Sequence, residues 1–141
     1  MLTAALPANF SAITKNVAED KIIGLWISPL KDVIINCFKE NGKYYGKIVW
    51  FKRYNSNANE DPNGLAEATW MNTMVMKDFV FDENEWNDGV IYDIKSGKKY
   101  AAYIKLIDEN QLHVTGFILF RFLNKSTYFE RYVNGKLPPF R

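Results

Sequence analysis

The sequence predicts an all-β fold, an antiparallel sandwich or barrel of about eight strands behind a short N-terminal helix. Three observations predict it. Short segments rich in β-branched and aromatic residues recur along most of the chain, separated by polar turns at regular spacing. One of those turns, Asn41-Gly42, is the strongest short hairpin signal known, because a type I′ turn needs left-handed backbone at both central residues. Finally, 16% of the residues are aromatic, which suits sheets lined with rings.

The elements follow in chain order. Ser11 to Lys21 lacks strand alternation; Ser11 is a candidate helix cap, and Ile13, Val17 and Ile22 are expected to share one helical face. Gly24 to Ser28 reads as the first strand, stopped by Pro29. Val33 to Lys39 is the second, and Tyr44 to Phe51 returns across the Asn41-Gly42 turn. Lys52 to Thr73 is one long irregular stretch containing Asp61-Pro62-Asn63-Gly64 and a helical turn at Leu65 to Ala68. Loops of that length are either functional lids or tolerated insertions, and both readings stand.

Strand character resumes at Met74 to Phe81 and Glu85 to Ile94, the latter interrupted by Asp88-Gly89, which predicts a β-bulge. Lys99 to Ile107, Gln111 to Phe122 and Ser126 to Val133 complete the set. Their turns are Ser96-Gly97, Asp108-Glu109-Asn110 and Asn124-Lys125. No repeat or linker divides the chain. Residues 1–21 are read as an N-terminal segment, 22–133 as the β domain and 134–141 as a tail.

Composition removes several classes of function. A chain of 141 residues can bury one ordinary core without staples. Against 16 acidic residues stand 18 basic ones, a net charge of +2, so no nucleic-acid partner is expected. No apolar run nears the ~20 residues of a transmembrane helix. One cysteine excludes an internal disulfide and one histidine excludes every metal motif that needs two, so neither metal nor cofactor is expected. The apolar stretch Leu2 to Ala8 has no basic residues before it and is broken by Pro7 and Asn9, which predicts no intact signal peptide.

Alternation assigns faces, because successive side chains of a strand point to opposite sides. Outward Lys99 and Lys105 put Tyr100, Ala102, Ile104 and Leu106 inside, and outward Lys47 puts Gly46, Ile48 and Trp50 inside. Outward Gln111 and His113 leave Leu112, Val114, Gly116 and Ile118 inside, while Phe51, Tyr103, Phe117, Tyr128 and Tyr132 face outward. So many outward rings suggest cover by the N-terminal segment, the long loop or a second copy in a homodimer. In the last strand, Thr127, Phe129 and Arg131 face inward. An inward guanidinium is costly unless it is paired or stacked. In an up-and-down barrel the first and last strands are neighbours, so Trp26 is expected to stack on Arg131, with Gly24 letting the chain pass beneath the ring.

A glycine-x-tryptophan on the first strand matched by a basic residue on the last resembles the structural signature of lipocalins. Longer segments sharpen the resemblance: Gly24-Leu25-Trp26, Ile35-Asn36-Cys37, Tyr45-Gly46-Lys47-Ile48-Val49-Trp50, Trp86-Asn87-Asp88-Gly89-Val90-Ile91-Tyr92-Asp93, Gly97 with Tyr100, and Leu112-His113-Val114-Thr115-Gly116. Together they resemble a bacterial family known as domain of unknown function number 2147, over roughly Ile22 to Arg131. The resemblance implies a lipocalin-like (calycin-type) barrel, usually exported to the periplasm or beyond, with no established activity. The plain N-terminus and the tail from Tyr132 to Arg141 depart from that pattern.

Candidate chemistry is sparse. Cys37 shares an inward face with Ile35 and reads as a small core hydrophobe, and outward His113 is no base for it. Asp88 and Asp93, or Glu60 and Asp61 in the loop, would serve a glycosidase if held ~5–9.5 Å apart, but their positions suit turn and bulge formers better. If the face shared by Gly89, Ile91 and Asp93 is inner, Asp93 becomes a buried carboxylate.

Aromatic side chains are the remaining resource. Trp50, Tyr100, Phe129 and Met74 are expected to wall an interior pocket, with Trp70 as a lid. The rim carrying the long loop, the Asp93–Lys98 turn and the Phe122–Ser126 connection is the expected entrance. The reading is therefore a non-catalytic binder of a small hydrophobic or amphipathic ligand. A carboxylate enzyme at the barrel mouth and an interaction module of the cell envelope are the alternatives.

Overall fold

The computed structural model describes residues 17–52, 70–94, 96–117 and 124–133. Expectations placed on Ser11, Ile13, the Glu60–Asp61 pair, the Leu65–Ala68 turn, Ile118 and the tail from 134 lie outside the described residues.

Eight strands form one sheet: β1 (Gly24–Ile27), β2 (Val33–Glu40), β3 (Lys43–Phe51), β4 (Met74–Asp82), β5 (Glu85–Asp93), β6 (Lys98–Asp108), β7 (Gln111–Phe117) and β8 (Asn124–Arg131). Each is antiparallel to its sequence neighbour, and β1 pairs with β8, so the sheet closes into a barrel. The closing pair joins Trp26 and Ile27 of β1 to Arg131 and Glu130 of β8. Asn41 (φ 51°) and Gly42 (φ 77°) adopt the left-handed pair that a type I′ turn requires, and Glu83 (φ 50°) with Asn84 (φ 64°) does the same between β4 and β5.

Residues 17–19 are helical and run into a 3-10 turn, Asp20–Ile22, just before β1. Ile22 is buried, but Val17 is 61% exposed. The expected shared face fails here because a five-residue step carries a helix well past one full turn.

Three bulges decide which side chains point inward. In β5, Asp88 takes φ 62° and the register to β6 slips between Trp86 and Gly89, so both of those face the interior. A side chain at Gly89 would put its Cβ 2.4 Å from the Phe79 ring, so that ring packs directly on bare backbone. In β3, Ile48 lies opposite Ile35 and Trp50 opposite Ile34, which leaves Val49 as an extra residue. This corrects two assignments. Phe51, expected outside, is 7% exposed and belongs to the core, whereas Trp50, expected inside, is half-buried beside Ile34 and outside that core cluster. In β4, Met76 faces Gly46 and Met74 faces Lys47, so Val75 is the extra residue and both Val75 and Met76 enter the core. Met74 is thereby turned to the register of an outward lysine.

Alternation holds from Ala102 to Ile104 and from Leu112 to Val114, while Thr115 on the outward face is buried as well. Ala102, Ile104, Leu112 and Val114 are buried, and on the outside His113 stacks on Tyr128 at 4.4 Å between ring centroids.

Candidate functional site

Because the strands alternate in direction, connections gather at two ends. One end holds the start of β1, the Asn41-Gly42 and Asn84 turns, the β6–β7 turn and the end of β8. This end is plugged. Trp26, Tyr44, Phe79 and Trp86 are almost wholly buried there with Ile22. The Trp26 indole N–H donates to Ile22 O at 2.8 Å, and that of Trp86 donates to Glu19 O at 3.1 Å. The Tyr44 hydroxyl donates to Asp20 Oδ1 at 2.6 Å. Burial first, and then that carboxylate, raises the phenol above its ordinary pKa. The polar tips of three core aromatics thus hold the helical segment across the barrel opening.

Arg131 completes the plug. Its guanidinium carbon lies 4.2 Å from the centroid of the Trp26 ring, and the two residues face each other across the β1–β8 pair. Its Nε donates to Glu109 O at 2.6 Å and its Nη2 to Lys21 O at 2.7 Å. A Cβ on Gly24, whose φ is 131°, would sit 3.2 Å from Nη1, so a side chain there meets both crowding and backbone strain. The guanidinium is half-buried and satisfied by the carbonyls it ties together. Cys37 lies nearby, 3.9 Å from Met76 Sδ, and desolvation pushes its thiol up to about 12 against the opposing pull of Arg131. That makes it an inert core residue.

The other end is hollow. A cavity of about 480 Å³ occupies the barrel where the β1–β2, β3–β4, β5–β6 and β7–β8 connections gather. Its wall is mainly apolar and includes Ile35, Ile48, Met76, Ile91 and Val114. Of the expected wall residues, Tyr100 and Phe129 line it. Trp50 and Met74 do not, because the bulges in β3 and β4 turn them away. Trp70, the expected lid, also stands outside the wall and packs edge-on against Phe51 with centroids 5.4 Å apart.

The cavity has a polar margin that face assignment did not find. Asp32 is only 3% exposed, and it accepts a 2.6 Å hydrogen bond from Ser28 Oγ. That oxygen in turn accepts from the N–H groups of Asp32 at 3.1 Å and Val33 at 3.0 Å. The readable signal was a serine followed by proline, with an aspartate four residues on, a pattern of side chains that bond local backbone in turns. Asp93 reaches the cavity but is half-buried rather than the buried carboxylate expected of an inner face, and Ser96 Oγ donates to it at 2.9 Å. Asp88 is instead exposed at the β5 bulge, so the structure does not bring Asp88 and Asp93 into one site.

A closed eight-stranded antiparallel barrel, plugged by a helical segment at one end and hollow at the other, is lipocalin-like in fold. Consistent with that class, the chain is similar in structure to protein HP1028 from the human pathogen Helicobacter pylori, which is described as belonging to the lipocalin family. The likeness has a TM-score of 0.60 at 16% identity and covers 80% of this chain and 84% of that one. More specifically, the model of the family described as "Uncharacterized protein conserved in bacteria (DUF2147)" matches residues 24–131, and the chain belongs to that family. No curated protein matches the chain. None of the described helices is long and apolar enough to cross a membrane.

Proposed function

We propose that the protein binds a small hydrophobic or amphipathic molecule inside the barrel, without chemistry on it. The observation that carries this reading is the cavity of about 480 Å³ with its apolar wall. A small eight-stranded barrel either fills its interior with side chains or holds one ligand, and small-molecule sites commonly measure ~300–1,000 Å³. Here the two halves of one barrel take both courses, and the unfilled half is the size of a ligand. Tyr100 and Phe129 supply flat apolar wall, while Ser28, Asp32 and Asp93 at the margin suit a polar head. Native mass spectrometry of protein purified from its own host reads any retained ligand directly by mass. The complementary test fills the space: Val114→Phe is expected to weaken a polarity-sensitive hydrophobic dye by about tenfold or more while folding is retained. Unchanged dye affinity in a folded Val114→Phe variant overturns the site.

A further inference from the structure

The seam that closes the barrel is bonded along only part of β8. Trp26 faces Arg131 and Ile27 faces Glu130, and the N–H of Tyr132 donates to Leu25 O at 2.9 Å. Past Ile27 the chain leaves the sheet and bonds to itself, with the N–H of Ser28 on Val33 O and the N–H of Lys31 on Ser28 O, both 2.9 Å. From Phe129 back to Asn124, β8 continues along β7, with no partner on its β1 side among the described residues.

The cavity reaches into that gap. Ser28, Pro29 and Leu30 line it from one side of the seam, and Lys125, Ser126 and Thr127 from the other. Leu30 is 75% exposed, and Lys125 and Ser126 are exposed as well, yet all three touch the cavity. A side chain that both lines a cavity and faces bulk water marks where the two meet. Where the bonded part of the seam begins, Lys31 Nζ spans it to Glu130 Oε2 at 2.5 Å. That ion pair is well exposed, at 41% and 62% for its two side chains, so it is easily opened.

We infer that ligands enter and leave the cavity sideways, through the β1–β8 seam between the Ser28–Leu30 turn and the start of β8, and that the Lys31–Glu130 pair latches this portal. The chemistry of the mouth also orients the guest. Hydroxyls of Ser28, Ser126 and Thr127 and the Lys125 ammonium rim the portal, while Ile35, Ile48 and Val114 lie within, so an amphipathic molecule goes in tail first. This inference rests on the cavity being a ligand site, and a kinetic experiment separates the two.

Stopped-flow mixing with 1-anilinonaphthalene-8-sulfonate reads entry and exit rates, and an equilibrium titration reads affinity. Glu130→Gln removes the latch with little change of shape and is expected to raise both rates together by about two- to fivefold, leaving affinity unchanged. Leu30→Trp crowds the mouth and is expected to slow both entry and exit severalfold, whatever its effect on affinity. Unaltered rates in both variants, with dye still bound, place the mouth elsewhere and overturn the portal alone. A changed affinity in Glu130→Gln without a matched change of the two rates makes Glu130 part of the wall and also overturns it. Absence of dye binding to the unaltered protein overturns the ligand reading itself.

Discussion

The plugged and hollow ends of this barrel are made by the same strands, yet they spend their side chains differently. At the plugged end the inward positions are large, and each polar tip has been given a backbone or carboxylate partner. Trp26 meets Ile22 O, Trp86 meets Glu19 O and Tyr44 meets Asp20. At the hollow end the wall mixes mid-sized aliphatics with Tyr100 and Phe129 around a cavity, and Gly116 lies beside Tyr100. Buried rings are therefore concentrated at one end and the cavity at the other. A barrel can keep a hole because its strands run through both halves, so packing in one half holds the frame of the other.

Truncation at the two ends breaks or sharpens this comparison most strongly. Trp86→Ala removes a buried ring that packs on Tyr44 and Phe81, and is expected to cost about 3–5 kcal/mol in urea denaturation. Phe129→Ala, at the cavity wall, is expected to cost less than about half as much, because part of that ring already faces open space. Equal losses at the two ends contradict the division of labour.

Arg131→Lys keeps the charge but loses the planar fork that reaches Glu109 O and Lys21 O. A loss of about 1–3 kcal/mol is expected, with dye affinity in the cavity unchanged. Weaker dye binding at full stability would mean that the two ends are coupled rather than separate.

Alkaline pH gives a smaller effect. The Cys37 thiol is pushed from 9.0 up to about 12 in the folded chain, so the unfolded chain ionises it first. Its contribution is complete below about pH 9 and is lost as pH rises from there towards about 12. At pH 10 the loss relative to pH 8 is expected to be about 1 kcal/mol, measured as the difference between the parent and Cys37→Ala. Parallel pH profiles for the two proteins contradict the assignment. Smallest of all, Lys105→Gln on the outer wall releases an exposed pair with Glu85 at 3.1 Å and is expected to change stability by less than about 0.5 kcal/mol. A larger change there would mean that the outer wall, and not the plug, carries the frame.

Much of the barrel was legible because polar residues marked its turns and faces. Asn41-Gly42 announced a hairpin and Asp88-Gly89 a bulge, with Asn41, Gly42 and Asp88 taking left-handed backbone, and lysines at 47, 99 and 105 fixed which way β3 and β6 face. An inward arginine on the last strand pointed to its partner on the first, and Gly24 pointed to the crowding between them. The misreadings fall where such markers are missing. Val49-Trp50-Phe51 and Met74-Val75-Met76 are uninterrupted apolar runs, so one inserted residue reverses the faces without leaving a trace in the pattern. Two of the four expected wall residues, Trp50 and Met74, stand off the cavity for that reason, and Trp70, the expected lid, packs on Phe51 instead. The Ser28–Asp32 turn was overlooked because its signal is local hydrogen bonding rather than alternation.

The bond between Arg131 and Lys21 O joins residues 110 apart in the chain. Loop closure over such a span can succeed only after the intervening chain has been gathered in, which makes it a late step in folding. The β2–β3 hairpin and the β4–β5–β6–β7 meander have short turns and can form early, while the long connection from Lys52 to Thr73 joins them. Until β8 meets β1, the sheet has two unsatisfied edges, the state in which β-proteins pair with copies of themselves. Contact order of this kind belongs to chains that fold in milliseconds to seconds rather than microseconds. On the ribosome, Trp26 emerges long before the guanidinium that will cover it, so the nascent chain carries an open seam until β8 has been made.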